Sequence, residues 1–277
     1  MFMSRIPFNP NLIVDVKNLF QVDIEEKELS IKLNELFKNS PLKYEKLCFF
    51  IDRMEFIKQI KMVSDYLAQM GNSINDQEVD GIQFDFNALR LYLVLSCVDM
   101  FATMQYKRFD EWILENCADF DKNIELKSYL QKKKEEYLED YSITSNFKKA
   151  IMNSKRRGVL ESNIVVMDSN NKVYPNDIKK ISAVLASIRN KYTHEGRRIS
   201  IPLLNSKMPQ LIYIGAIVKD TNGNPIQKRV DGYVSDVNNP VENRTYSLLV
   251  SPGFDLIEEV YLIAIENARG VFDFLKE

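Results

Sequence analysis

Histidine is almost absent from this chain: one imidazole, His194, stands among 277 residues. The three cysteines, Cys48, Cys97 and Cys117, are odd in number and show no Cys-x-x-Cys or Cys-x-x-His spacing. A lone histidine and dispersed cysteines cannot form a conventional zinc site, and three cysteines do not make a disulfide framework. We therefore expect no bound metal, and reduced, mostly buried thiols in a cytoplasmic protein.

Glycine is also scarce, with nine residues, and the common enzyme motifs are missing. The chain has no Walker phosphate-binding loop, no HExxH helix and no GxSxG nucleophile motif. These absences exclude P-loop enzymes, HExxH metalloproteases and α/β-hydrolases, and they leave no motif that implies a cofactor.

An excess of one charge and a long apolar run are missing as well. The 37 basic and 39 acidic residues give a net charge of −2, so any contact with nucleic acid needs a local basic patch. The most apolar stretch, "LRLYLVLSCVDMFATM", contains Arg90, Ser96 and Asp99 and is too short and polar to cross a bilayer core of ~30 Å. The N-terminus does not resemble a signal peptide. We expect a soluble protein without a membrane partner.

Apolar spacing in the first half of the chain predicts helices. In residues 43–73, apolar residues recur every three or four positions from Leu47 to Val63, and Gly71-Asn72 ends the pattern. The polar stretch that follows predicts a boundary between an N-terminal helical region, 1–80, and a domain over 81–277. A helix at about 86–106 has little polar surface and is expected in the core. Further helices are predicted over 109–117 and 127–157.

The second half mixes helix and strand patterns. "NIVVMDSNNKVY" predicts a small hairpin, and a helix follows between Asn176 as N-cap and Gly196 as stop. Its predicted buried residues are Ile178, Ile181, Val184, Leu185, Ile188 and Tyr192. Strand patterns occupy about 197–252, before an apolar helix over 254–277. The predicted fold is mainly α: a bundle of four main helices, an added N-terminal helical region and a small β insert before the last helix.

The lone histidine ends the segment "RNKYTH", which contains Arg189, Asn190 and His194 at a helix end. This segment resembles the motif of the HEPN superfamily (higher eukaryote and prokaryote nucleotide-binding domains), Arg-x(4–6)-His with a frequent Asn after the Arg. The resemblance covers roughly residues 84–277, without the β insert. It implies a HEPN-like four-helix bundle, metal-independent endoribonuclease activity, and a homodimer whose two motifs share one cleft.

The resemblance also implies a setting and partners. These are RNA, a role in prokaryotic defence or as a toxin, and an antitoxin or regulatory protein. One toxin branch carries a tyrosine two residues after the histidine, where this chain has Gly196. Control by modification of that tyrosine is therefore not supported.

The chemistry of the motif fits RNA cleavage. His194, with an ordinary pKa near ~6.5, suits proton transfer, and Arg189 can grip phosphate oxygens. One histidine for two proton-transfer roles predicts that a second copy supplies the other. Asn190 and His194, four apart, share a helix face, whereas Arg189 and His194 are about 140° apart. Arg189 and His194 converge if the helix loosens near 193–196 or if a partner completes the site. Asn190 would orient His194 or the phosphate.

Other candidate site residues have alternatives. Asp99, an acid in an apolar helix, is expected to pair with Arg189 or orient His194, unless it faces solvent. A predicted RNA-binding rim comprises Lys155, Arg156, Arg157, Lys191, Arg197 and Arg198, and its alternative is an ordinary solvated surface.

Two other interpretations of the whole chain remain open. It is a non-catalytic HEPN-like module for dimerisation and for RNA or nucleotide binding, or it is an unrelated helical protein with a chance match. In the latter, His194 merely caps a helix end.

Overall fold

The computed structural model describes residues 7–71, 86–102, 108–117, 125–141, 143–168, 171–195, 198–200, 209–219, 225–229, 233–236 and 239–276. Inside these segments, the side chains of 64–71, 102, 139–140, 143–144, 191–195 and of most residues between 198 and 246 lie outside the described part. The described residues are mainly helical, as the sequence predicts.

Three helices form the N-terminal part: α1 (Leu12–Phe20), α2 (Glu26–Asn39) and α3 (Pro41–Gly71). The apolar stripe predicted for α3 is buried from Leu47 to Ile60, because the helix packs on α2 and on the following helix. Val63, the last member of that stripe, is instead 49% exposed. The predicted domain boundary near residue 80 lies outside the described residues.

The apolar helix predicted at 86–106 is α4 (Phe86–Ala102), and 103–107 lie outside the described residues. The region that follows contains α5 (Phe109–Asn116), α6 (Leu126–Tyr141), α7 (Ile143–Asn153) and α8 (Arg157–Asn163). Most of α4 is buried, since it contacts α3 on one side and α7 and two later helices on the others. Its central position matches its lack of polar surface.

The strands form one antiparallel sheet: β1 (Ile164–Asp168), β2 (Val173–Tyr174), β3 (Arg198–Ser200), β4 (Gln210–Lys219), β5 (Pro225–Arg229), β6 (Tyr233–Asp236) and β7 (Asn239–Val250). The order is β2-β1-β7-β4-β3, with β5 on β4 and β6 on β7. The predicted β1–β2 hairpin is confirmed by the pairing of Val166 with Tyr174. However, β1 also pairs with β7, so the sheet is not confined to the insert at 197–252. Ile164 and Val166 are buried, and β1 contacts α8 and the following long helix.

The helix that carries the motif is α9 (Ile178–Glu195). Its predicted buried face is confirmed from Ile178 to Ile188, while the side chain of Tyr192 and all of Gly196 lie outside the described residues. The predicted N-cap, Asn176, is wrong. Asp177 accepts a hydrogen bond from the backbone N–H of Lys180 (3.0 Å), whereas Asn176 has a φ of 53°. Asn176 adopts the left-handed backbone conformation, so the next residue, Asp177, caps the helix with its carboxylate.

The last helix, α10 (Leu256–Val271), ends before the predicted residue 277 and is followed by a 3₁₀ turn over Asp273–Leu275. As predicted, α10 packs on the central helix α4, and the rings of Phe101 and Phe272 meet edge to face. The buried apolar side chains of α1–α4, α7–α10 and the sheet form one continuous cluster.

The three cysteines are free thiols, with Cys48 and Cys97 buried and Cys117 partly exposed, as expected. Among the described helices, none combines the length and the apolar character that a bilayer crossing requires.

Candidate active site

An ion pair joins α4 to α9 at the level of the motif. Arg189 Nη2 lies 3.2 Å from Asp99 Oδ2, and the side chain of Asp99 is only 7% exposed. The buried residue Ile188 holds α9 against the core, so the next residue, Arg189, lies at the edge of that contact. The predicted Asp99–Arg189 pair is confirmed, and the solvent-facing alternative for Asp99 is wrong.

Asn190 joins the same cluster. Arg189 donates from Nη1 to Asn190 Oδ1 over 3.1 Å, while its Nη2 serves Asp99. In this bond the amide oxygen of Asn190 is the acceptor, so its NH₂ group keeps its capacity to donate elsewhere. The structure thus brings together three of the predicted site residues: Asp99, Arg189 and Asn190.

Two further residues face Asp99. Lys46 on α3 donates from Nζ to the carbonyl of Met100 (3.2 Å), and both its charge and the side chain of Asn146 on α7 act on Asp99. Nothing in the sequence distinguishes Lys46 from the other lysines of α3, and nothing marks Asn146. Their proximity to Asp99 depends on how three helices pack, so sequence reasoning missed both.

Burial shapes the electrostatics of this cluster. It raises the pKa of Asp99 above its ordinary value, although Arg189, Asn146 and Lys46 all act to lower it. Burial likewise lowers the pKa of Lys46, and the negative charge of Asp99 opposes that effect. With Asp99 ionised, two cations and one carboxylate leave the cluster with one net positive charge, which favours an anion nearby.

The end of α9 remains helical through Glu195. The loosening that one of the two alternatives requires is therefore not found at 193–195, and positions 189 and 194 are about 140° apart around the axis. Positions 190 and 194 lie on one face, one turn apart. The side chains of Lys191 and His194 and all of Arg197 lie outside the described residues, and Arg198 begins β3 with its side chain likewise undescribed.

The basic cluster at 155–157 does not join this site. Arg156 Nη1 lies 3.5 Å from Glu259 Oε1, and Arg157 Nε lies 2.9 Å from Glu161 Oε1. The cluster comes after α7, and the end of α7 is seven residues, or about 10 Å along the helix, beyond Asn146. Lys155 is exposed there. The structure thus separates these three residues from the Asp99–Arg189 pair.

The described residues include no group of three or more His, Cys, Asp or Glu side chains placed to hold a metal ion. The cluster around Arg189 instead offers guanidinium, ammonium and amide donors, which bind oxyanions. Comparison with protein-family models, with curated proteins and with solved structures found no match to this chain. A functional interpretation therefore depends on the motif and on the contacts of Asp99, Arg189 and Asn190.

Proposed function

We propose that the chain is a HEPN-type, metal-independent endoribonuclease whose active site is completed by two copies of the chain. The observation that carries the proposal is the buried ion pair of Asp99 with Arg189, which holds the arginine beside Asn190 in the helix that carries His194. Such an arrangement fixes a guanidinium in the same helix as a residue able to transfer protons. In keeping with the resemblance, we assign the activity to prokaryotic defence or to a toxin.

The proposed reaction needs no metal. His194 takes the proton of a ribose 2′-hydroxyl, whose oxygen attacks the adjacent phosphorus, and the bond from phosphorus to the 5′-oxygen breaks. The histidine of the second copy gives a proton to that leaving oxygen. Arg189 stabilises the added negative charge on the phosphorus oxygens, and the NH₂ group of Asn190 orients His194 or a phosphate oxygen. The products are a 2′,3′-cyclic phosphate and a 5′-hydroxyl.

An exposed apolar stripe on α3 supports the dimer. Four of its side chains, each about half exposed or more, recur every seven residues: Leu42, Phe49, Phe56 and Val63. Helices that pack along one another carry apolar residues at two positions of each seven-residue repeat, and this stripe supplies one of the two. The four positions are symmetric about residues 52–53, so two antiparallel copies would place each apolar residue on another and oppose Asp52 to Arg53 across the axis.

The stripe borders the candidate site. Lys46 lies four residues after Leu42 and three before Phe49, which puts it at the edge of the stripe, and it faces Asp99. Arg53 has the same relation to Phe49 and Phe56, and it donates to Ser96 Oγ on α4 over 2.9 Å. A second copy on this stripe would therefore lie next to the helix that carries Asp99.

The test is cleavage of a mixed RNA pool by purified protein in excess EDTA. The wild type should cut and leave cyclic phosphate ends, and His194→Ala should be inactive while its circular dichroism and dimer mass are unchanged. Arg189→Lys keeps the charge but loses the forked donor, and should lower the rate by roughly 100-fold. Arg108→Lys, at an exposed arginine of α5's N-terminal end, is the matched control and should be fully active. Activity that EDTA abolishes would contradict the proposal.

A second candidate is a non-catalytic module for dimerisation and for RNA or nucleotide binding. One observation favours it: both terminal nitrogens of Arg189 already bind groups of the same chain, Asp99 and Asn190. In that case the motif stabilises the α4–α9 contact instead of a transition state. Protein that dimerises and binds RNA but leaves every RNA in the pool intact would support this candidate.

A further inference from the structure

A cavity of about 280 Å³ opens between α3, α4 and α10, away from the candidate active site. Its lining combines apolar side chains with basic ones and one carboxylate: Ile57, Ile257, Tyr261, Lys58, Lys61, Arg90 and Glu258. Arg90 precedes Asp99 by nine residues on α4, which is about 13 Å along the helix. The cavity is therefore a separate feature of the bundle.

Tyr261, one of the lining residues, has a buried hydroxyl. The side chain is 8% exposed, and its hydroxyl has no hydrogen-bond partner in the described part of the chain. Burial and the nearby carboxylates of Glu258 and Glu55 raise the pKa of this tyrosine, so the hydroxyl stays protonated and can donate. A buried donor without an acceptor destabilises the fold, and an acceptor brought by a ligand would remove that penalty.

Three cations and one carboxylate, that of Glu258, line the cavity, and a second carboxylate, that of Glu55, lies beside Lys58. Lys61 Nζ is 3.5 Å from Glu258 Oε2, and Lys58 Nζ is 3.8 Å from Glu55 Oε2. Both pairs are long and largely exposed, and such pairs contribute little to stability, so each ammonium group can turn toward another anion. Arg90 is 4% exposed, and its Nη1 donates to Asn87 Oδ1 over 3.2 Å, which fixes a third positive charge at the wall.

We infer that this cavity binds a small organic anion, an apolar body that carries one phosphate or carboxylate group. The anionic oxygens accept hydrogen bonds from Tyr261 and Lys61, and the apolar body packs against Ile57 and Ile257. The volume is just under the usual range for ligand pockets, which limits the ligand to a small molecule. The inference goes beyond the proposed ribonuclease and does not depend on it.

The experiment measures thermal stabilisation and calorimetric binding of the full chain with three probes that share a phenyl ring. Phenyl phosphate and benzoate test the two anionic groups, and benzamide is the neutral match. We expect saturable binding at millimolar concentration for at least one anion, with a higher melting temperature, and no effect of benzamide. Equal binding of benzamide, or no binding of either anion, would overturn the inference.

Two variants connect the binding to the cavity. Tyr261→Phe should lower the affinity for the anion by roughly threefold to tenfold, which is the effect of one lost hydrogen bond. Lys61→Met should lower that affinity by roughly tenfold or more. Without ligand, Tyr261→Phe should be as stable as the wild type or more so, because the unpaired hydroxyl is gone.

The matched controls are Tyr44→Phe and Lys43→Met. Tyr44 is fully buried, but its hydroxyl accepts from the backbone N–H of Asn9 (2.8 Å), so its loss should lower stability and leave anion binding unchanged. Lys43 is an exposed lysine of α3 outside the cavity, and its loss should change neither the stability nor the anion binding. Wild-type affinity in both Tyr261→Phe and Lys61→Met would overturn the inference.

Discussion

Asp99 and Arg189 are ninety residues apart in the sequence, yet their carboxylate and guanidinium lie 3.2 Å from each other between α4 and α9. Each is poorly exposed, so each charge depends on the other for compensation. The pair fixes the rotation of α9 relative to α4. It thereby sets the direction in which the α9 face with Asn190 and position 194 points.

The first prediction concerns the strength of this ion pair. Asp99→Ala and Arg189→Ala should each lower the free energy of unfolding by about 3 kcal/mol, because each leaves the other charge buried without its partner. The double variant should cost clearly less than the two single losses together, and urea denaturation measures all three. The exposed pair Glu28–Lys32 is the control, where Glu28→Ala should cost under about 0.5 kcal/mol. Strict additivity at Asp99 and Arg189 would show that the pair is not coupled.

The second prediction concerns pH. Because burial raises the pKa of Asp99 in the folded protein, the folded state binds more protons than the unfolded state between the ordinary carboxyl pKa of ~3.9 and the raised value. The contribution of Asp99 to stability is therefore present at the lower pH and is lost as pH rises through that window. The stability of the wild type relative to Asp99→Asn should increase as pH is lowered from 7 toward 4, measured by urea denaturation. A stability difference between the two proteins that stays constant, or falls, as pH is lowered would contradict the raised pKa.

The sequence was sufficient for some of these features. An acid in an apolar helix needs a partner, and an arginine in the motif helix was available, so the Asp99–Arg189 pair was predictable. The buried face of α9 followed from the spacing of Ile181, Leu185 and Ile188. Lys46 was not predictable, because its approach to Asp99 depends on how α3 packs on α4 and leaves no periodic trace.

The sheet shows a second limit of sequence reasoning. The hairpin of β1 and β2 was local and carried a turn signal, so it could be predicted. The pairing of Ile164 with Val250 joins segments that are far apart in the chain, and strand patterns alone do not identify long-range partners. For the same reason, the strand region was predicted as an insert although it is the larger part of one sheet.

The third prediction concerns the N-terminus of α9. Asp177→Ala should lower the free energy of unfolding by about 1 kcal/mol, because its carboxylate caps the backbone N–H of Lys180. Asn176→Gly, at a left-handed position, should change stability by only a few tenths of a kcal/mol. Thermal and urea denaturation of the two variants compare neighbouring residues directly. A larger loss at Asn176 than at Asp177 would restore Asn176 as the cap.

The fourth prediction concerns the apolar stripe of α3. Phe49→Glu should weaken the proposed dimer by roughly tenfold or more, since it would bury a charge against the second copy. The helical content should stay unchanged because Phe49 is 53% exposed in one chain. Sedimentation equilibrium measures the dimer constant. Leu126→Glu, at an equally exposed leucine of α6, is the control and should have no effect. A dimer that tolerates Phe49→Glu would exclude the stripe as its interface.

The most direct test of the central proposal measures whether the C-terminal ends of two α9 helices meet in the dimer. In a Cys117→Ser background, which leaves only the buried Cys48 and Cys97, a cysteine at Glu195 is treated with a short bismaleimide. We predict a covalent dimer for Glu195→Cys and none for Leu126→Cys on the exposed face of α6. A protein that is monomeric, or a dimer that cross-links at Leu126→Cys but not at Glu195→Cys, would contradict a site shared between two copies.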